Sequence, residues 1–405
     1  MSDHTILIVG GGAAGISCAA SLRKRNRALD IAIIEPAANH YYQPGWTMVG
    51  GGIFQKQQTE KSMTAVWPKG VTRITGAVKT FAPKKNEVTL ENGDTVSYDY
   101  LIAAPGLKLN WGAVKGLEDA LGKNGVTSNY RYDLAPYTWE LVQNTKSGVA
   151  LFTQPAMPIK CAGAPQKAMY LSCDHWLRSG ALKDINVTFL AATPGLFGVA
   201  AYVPPLMKYI EKYNVELAFT TNLTAVDGAK KIATFEVKDA EGNATSVDRP
   251  YDMLHVTPPQ CALDFVAKSP LANDAGWIDV DQHTLQHTKF LNVFSLGDAC
   301  STPNAKTAAA VRKQAPIVAE NILAVMAGRT PVMSYDGYGS CPLTVENGKI
   351  ILAEFGYGGK LLPTFPLDST KPRRSAWFLK KSILPYVYWN GMLKGKEWLV
   401  APKAG

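Results

Sequence analysis

Three glycines and an acid near the start of the chain have the types and spacing for nucleotide chemistry. Gly10, Gly12 and Gly15 form a Gly-x-Gly-x-x-Gly run between the apolar stretch Ile6-Leu-Ile-Val9 and a helical stretch, Ile16 to Arg25. Such a run lets the chain turn tightly, lets backbone approach a pyrophosphate and lets helix pack on strand; the helix start then offers free N–H groups to phosphate. Glu35 ends the next apolar strand, Asp30 to Ile34, 20 residues past Gly15, where a ribose hydroxyl needs an acceptor. A second motif, Gly297-Asp298, stands at the carboxyl end of the apolar strand Asn292 to Leu296, where ligands bind in α/β sheets. An Asp there accepts from a ribityl hydroxyl, so the two motifs together point to FAD rather than NAD. The helix that opens at Thr307 would turn its N-terminus to the flavin pyrimidine carbonyl and steady negative charge on the reduced ring. Six cysteines (18, 161, 173, 261, 300, 341) contain no CxxC, and no zinc-finger spacing occurs, so no metal site is expected. Cys18, Cys173, Cys261 and Cys300 read as small buried hydrophobes. Cys161 and Cys341 lie in Gly/Pro-rich loops, which present side chains rather than pack them. Residue reading alone leaves that pair evenly balanced between function and core.

The elements around these residues suggest the architecture. At 405 residues the chain exceeds one ordinary core. Its strands and helices read as α/β: two Rossmann-like dinucleotide-binding domains in tandem, followed by a C-terminal membrane-associated region. The expected division is 1–110 and 261–330 for the two parts of an FAD domain, 111–260 for a second Rossmann-like domain, and 331–405 for a quinone and membrane region. The loop His40 to Gly52 mixes aromatics and glycines suited to lie along a flat cofactor. Asn92-Gly93 marks a hairpin-like insertion. Tyr98 to Gly106 returns the chain to the first domain, and Tyr130 to Gln143 reads as helix. Gly148 to Thr153 is a buried strand after which a nicotinamide site would begin. Instead of a second glycine turn, the chain reads Gln154-Pro-Ala-Met-Pro-Ile-Lys-Cys161-Ala-Gly-Ala-Pro165. The following strand, Asn186 to Leu190, ends with no acid or base to hold a ribose, so the second domain is expected to have lost nicotinamide binding. His255, inside an apolar run, reads as a packed core histidine.

Net charge is +9, which favours acidic partners, yet no helix combines Arg/Lys with base-reading residues and nucleic acid is not expected. No signal peptide precedes the strand at Ile6, and no run of 18 apolar residues would span a bilayer. The sparse cysteines suit a reducing compartment. Ser375 to Lys394 reads as two short amphipathic segments broken at Pro385. Trp377, Phe378, Tyr386, Tyr388, Trp389 and Trp398 accompany Lys371, Arg373, Arg374, Lys380, Lys381, Lys394 and Lys396. Aromatics among lysines suit a monotopic membrane contact, rings at headgroup depth and bases on anionic lipid; a packed helical hairpin or a dimer contact is the plainer alternative.

Taken together, these stretches resemble the sulfide:quinone oxidoreductases over nearly the whole chain. The resemblance rests on Val9-Gly-Gly-Gly-Ala-Ala-Gly15, Ile159-Lys-Cys161-Ala-Gly-Ala-Pro-Gln-Lys-Ala-Met-Tyr-Leu171, His255-Val-Thr-Pro-Pro259, Gly297-Asp298, Lys306-Thr-Ala-Ala-Ala-Val311, Tyr335-Asp-Gly-Tyr-Gly-Ser-Cys341-Pro342, Ile350 to Phe355 and Leu384 to Asn390. It is similar to the branch with the mitochondrial enzymes; the third, earlier cysteine of some other branches is missing, which argues against cysteine-linked FAD. The resemblance implies that hydrogen sulfide attacks a disulfide or sulfur-bridged form of Cys161 and Cys341. Cys161 would take the persulfide and Cys341 would face the flavin. Electrons would pass through FAD, held in part by Lys306 and Thr307, to a quinone entering beneath the tail. The sulfane sulfur would leave on glutathione, sulfite, cyanide or sulfide. Lys160 and the helix after Cys161 are candidates for lowering the thiol pKa. The location implied is a bacterial inner membrane, or the mitochondrial inner membrane in a eukaryote, with a homo-oligomer left open. Rival readings are a type II NADH:quinone oxidoreductase, an exported flavoprotein serving a cytochrome, and a non-enzymatic membrane-associated flavoprotein.

Overall fold

The computed structural model describes residues 2–400. The apolar run Ile6–Val9, buried on both faces, is the inner end of β1 (Ser2–Val9). It leads through the glycine turn into α1 (Ala13–Arg25) and then β2 (Ile31–Ile34), which pairs with β1 in parallel. The aromatic and glycine-rich segment that follows contains the short helix α2 (Trp46–Gly50). β3 (Thr72–Ile74) adds in parallel to β2, and β4 (Thr95–Ala103) adds in parallel to the other side of β1. Two antiparallel strands, Val78–Ala82 and Glu87–Leu90, join β4 through the turn at Asn92-Gly93.

The second sheet is all parallel. β5 (Val126–Thr127), β6 (Gly148–Gln154), β7 (Ile185–Ala191), β8 (Glu216–Ala218) and β9 (Met253–His255) assemble in the order β5-β9-β6-β7-β8. The helix expected over Tyr130 to Gln143 begins later, as α3 (Ala135–Asn144). Pro136 explains the shift. Proline is tolerated in a first turn but would remove a hydrogen bond six residues into a helix. Tyr130 therefore lies in a turn. Between β6 and β7 runs α4 (Ala164–Ser179), and His255 is fully buried at the end of β9, accepting from the Asn129 N–H at 3.0 Å.

β10 (Val293–Ser295) returns to the first sheet beside β4, and α5 (Ala308–Met326) packs with α1 in one core. The tail opens with the antiparallel pair β11 (Gly339–Glu346) and β12 (Lys349–Phe355). Cys341 is thus on a strand, not in a loop. Pro342 beside it is compatible because a two-stranded ribbon has a free edge. Leu343, Val345, Ile351 and Ala353 join the core of the second sheet. The tail then forms α6 (Arg374–Phe378), a wide π turn over Leu379–Ile383, and α7 (Leu384–Asn390). Pro385 does not break this run. It sits in the first turn of α7, and the π turn absorbs the missing bond. One face turns inward, with Ala376, Lys380, Tyr388 and Trp389 buried. Those last three were expected at a membrane.

Candidate active site

Cys161 and Cys341, 180 positions apart in the chain, meet with their sulfurs 3.6 Å from each other. That is contact, well beyond a disulfide bond of about 2.05 Å. The meeting depends on two elements. Cys161 sits just before α4, and Cys341 comes in on β11, whose core side packs on the same helix. Gly163 makes the approach possible, because a Cβ there would lie 2.5 Å from both the Cys341 sulfur and Leu343 Cδ2. The Cys161 backbone is left-handed, with φ +50°, a conformation that costs a residue with a side chain about 1–2 kcal/mol. It is held from several sides. The Cys161 N–H donates to the Lys306 carbonyl at 2.9 Å, and its own carbonyl accepts from Ala164 N–H at 2.7 Å. The preceding Lys160 N–H donates to Gln260 Oε1 at 2.8 Å.

The sulfurs differ in charge. Lys167, in the first turn of α4, reaches Cys161 Sγ with its Nζ at 3.2 Å. The hydrogen bond from Cys341 and then the Lys167 charge outweigh burial and hold the Cys161 thiol well below its ordinary pKa. Cys341, 2% exposed, is pushed well above its own by donating to Cys161 and by burial. The two shifts run in opposite directions, so of the two sulfurs Cys161 is the one that gives up its proton first. Lys380 faces the same cluster from the tail. It is 3% exposed, donates to the Pro44 carbonyl at 2.9 Å, and is brought down to about 7 by burial and by Lys167. Lys160, one of the two candidates from the sequence, instead turns its Nζ to Gln43 Oε1, across the Trp46 ring at 5.5 Å, and the other, the helix after Cys161, supplies the contact. Lys167 was overlooked. Its signal was a lysine set in a helix that otherwise reads Ala-Met-Tyr-Leu and is buried.

The nucleotide motifs also converge. Gly10 has φ +99°, and a Cβ there would strike the Ala104 carbonyl at 2.4 Å; one on Gly15 would strike the Gly10 carbonyl at 1.9 Å. A Cβ at Gly12 would meet nothing within 4 Å, and α1 has no side-chain cap. Gly297 lies against the same turn, its absent Cβ 3.0 Å from that of Ala14.

The family model for pyridine nucleotide-disulphide oxidoreductases matches residues 4–142. The chain is 45% identical over 395 residues to a mitochondrial sulfide:quinone oxidoreductase of Dictyostelium discoideum, covering 96% of this chain and 86% of that one. It is 41% identical to the mouse mitochondrial enzyme of the same name, covering 97% and 87%. The chain belongs to the sulfide:quinone oxidoreductase family. The fold agrees with the crystal structure of the Aquifex aeolicus sulfide:quinone oxidoreductase at a TM-score of 0.79, with 19% identity over 100% of this chain and 97% of that one.

Sulfide:quinone oxidoreductases are FAD-dependent flavoproteins, and the residues present fit that group. The open space at Gly12 and the uncapped start of α1 leave N–H donors for a pyrophosphate. Glu35 stands beside them, already accepting from Gly11 N–H at 2.6 Å and Ala37 N–H at 2.7 Å. Burial raises the Asp298 carboxyl, opposed by Lys306 and Lys160. Lys306 spends its Nζ on the carbonyls of Asp298 at 2.8 Å and Cys300 at 2.9 Å, so it shapes the Gly-Asp turn. Thr307 caps α5, accepting from Ala310 N–H at 3.1 Å.

Proposed function

We propose that the chain oxidises hydrogen sulfide to sulfane sulfur at the Cys161 and Cys341 pair and delivers two electrons to a quinone. The observation that carries this is the 3.6 Å sulfur contact with a lysine ammonium 3.2 Å from Cys161. One sulfur atom placed between the two, with bonds of about 2.05 Å each, spans such a gap better than a direct bond does. In either form, HS− attacks a sulfur of the bridge. A new S–S bond forms as one breaks: from the disulfide, attack on the Cys161 sulfur leaves a persulfide on Cys161 and a thiolate on Cys341, and from the sulfur-bridged form it leaves a persulfide on each cysteine, that on Cys341 as the departing anion. Cys161 is the more accessible of the two and presents the sulfane sulfur to a thiolate, sulfite, cyanide or a second sulfide. Lys167 and Lys380 stabilise whichever sulfur is the anion. Bound FAD would take the electron pair from the sulfurs and hand it to the quinone. Gly10, Gly12, Gly15 and Glu35 would hold its adenosine and pyrophosphate end, and Gly297, Asp298, Lys306 and Thr307 its ribityl and flavin end. Residues 1–110 and 261–330 would make up the cofactor domain, and 111–260 a Rossmann-like unit without nicotinamide.

No helix among the described residues is long and apolar enough to cross a membrane. Phe378 at 59% and Tyr386 at 58% exposure, with Ile383, Trp398 and Leu399, project from the tail among exposed Lys371, Arg374, Lys381, Lys394 and Lys396. This pattern supports a monotopic contact with a membrane that supplies the quinone, the inner mitochondrial membrane in a eukaryote or the inner membrane in a bacterium.

Anaerobic mixing tests the reading. Sulfide should bleach the flavin absorption, NADH should not, and a short-chain quinone should restore it. Bleaching by NADH would favour a type II NADH:quinone oxidoreductase. Silence toward both would favour a flavoprotein that keeps FAD only for structure.

A further inference from the structure

The left-handed turn that carries Cys161 is clamped by a side chain from a distant part of the chain. Tyr130, 4% exposed in the turn after β5, donates its hydroxyl to the Lys160 carbonyl at 3.1 Å, with the Cys161 carbonyl at 3.4 Å. Both carbonyls flanking the catalytic sulfur's backbone therefore converge on one phenol. The Cys161 carbonyl has a second donor in Ala164, so the Lys160 carbonyl is the one that depends on Tyr130. Gln260, in the two-residue strand Gln260–Cys261 that pairs antiparallel with Lys108–Leu109, accepts from the Lys160 N–H. Tyr130, in the turn after β5, and Gln260, in a short strand paired with Lys108–Leu109, thus grip the same residue from two separate stretches of chain. The phenol is buried, and both sulfurs lie near enough to raise its pKa further, so it stays protonated and a donor.

We propose that Tyr130 is a positioning residue for sulfide oxidation. It holds Cys161 in its left-handed backbone, and so fixes the spacing of the two sulfurs and the contact with Lys167. The proposal rests on the Cys161 and Cys341 reading above. A left-handed cysteine relaxes unless its neighbours over-determine it. Without the hydroxyl, the Lys160 carbonyl loses a buried donor and the turn is free to swing. The sulfur would then move away from both Cys341 and Lys167. The charged and titratable groups that face Cys161 come from several elements: Lys167 on α4, Lys380 from the π turn, Cys341 on β11, Lys160 beside it and Asp298 after β10. Of these, Lys167 and Cys341 are the two whose contact depends on where the turn points.

The test is Tyr130→Phe, which removes one oxygen and keeps the ring. The two half-reactions are measured separately, with alkylation of the reduced protein by iodoacetamide as a second readout. Flavin reduction by sulfide should slow about fivefold to tenfold, the scale of one lost hydrogen bond. Reoxidation by a short-chain quinone, after reduction with dithionite, should keep its native rate. The midpoint for Cys161 alkylation should move to higher pH, because the sulfur has lost part of the Lys167 charge. Gln260→Leu, which releases the same residue from the other side, should give the same split. A native sulfide rate and an unmoved midpoint in both variants would overturn the proposal. So would an equal loss in both half-reactions accompanied by a lower unfolding temperature, since that marks a residue needed only for folding. If the unaltered protein does not bleach with sulfide at all, the underlying assignment fails, not the positioning role alone.

Discussion

Lys167 is the side chain that most changes what Cys161 can do. A free thiol has a pKa of about 8.5, and burial alone would raise it, as it does for Cys18 and Cys173, which no cation touches as closely. Cys161 moves the other way because a hydrogen bond and an ammonium face its sulfur. Lys167→Met keeps the length and apolar stem and removes the charge. The sign follows directly. A thiolate is populated above the pKa of its thiol and lost as pH falls through it. Without Lys167 that loss begins at higher pH. Alkylation of reduced Cys161, located by mass spectrometry, should therefore show a midpoint raised by about one pH unit or more, each unit corresponding to about 1.4 kcal/mol of lost interaction. An unchanged midpoint would assign the low pKa to Cys341 and Lys380 instead.

At the scale of elements, the informative one is α4. In a dinucleotide-binding unit the helix after the first strand offers its N-terminus to phosphate. Here the corresponding helix, after β6, offers it to sulfur, and the place of the phosphate loop is filled by the proline-rich turn ending in Cys161. Gly163 at its N-cap is the point where Cys341 comes in, since a Cβ there would meet that sulfur. Gly163→Ala should leave FAD bound, because the glycines of α1 are untouched, yet push the sulfurs apart. We expect flavin reduction by sulfide to fall at least tenfold and stability to drop by about 1–3 kcal/mol, the usual range for overpacking, read by stopped flow and thermal unfolding. A native rate would mean that β11 gives way easily and that the contact is not exacting. This element also marks how far the sequence could be read. The strands, the glycine turns and the absence of a second glycine loop were legible because hydrophobic period and glycine spacing are local. The surroundings of the sulfurs were not. The sequence places Tyr130 in a helix that Pro136 delays and Cys341 in a loop that is a strand, and it leaves the group that lowers the thiol pKa open between Lys160 and the helix after Cys161, on which Lys167 lies. Each depends on which way a side chain turns after distant strands have paired, and no local pattern records that.

On the scale of the whole molecule, the tail has a buried face and an exposed one, and this decides how its proposed membrane contact can be tested. Tyr388 donates to or accepts from His40 at 2.7 Å and packs with Tyr42 and Trp389 in the core shared with α1 and α5. Glu397 accepts from Ser21 Oγ at 2.6 Å and Lys24 Nζ at 2.9 Å, and pairs with Arg25, which also reaches Glu320 on α5. Removing the tail would therefore uncover the core it shares with α1 and α5 and take Lys380 from the sulfurs. Loss of membrane binding after such a cut would say nothing about lipid. Replacing only outward side chains is the sharper test. Burying one such side chain is worth about 1.5–3 kcal/mol, so Phe378→Ser with Tyr386→Ser should weaken vesicle binding by about a hundredfold or more. Flavin reduction by sulfide and reoxidation by a water-soluble quinone should be unaffected, since neither ring enters the core. Raising the salt should weaken what binding remains on anionic vesicles, because exposed lysines are screened over about 10 Å at 0.1 M. Sedimentation with vesicles reads both effects. If the double variant sediments as the native protein does, the exposed rings do not meet lipid, and the tail serves as a clamp on the cofactor domain alone.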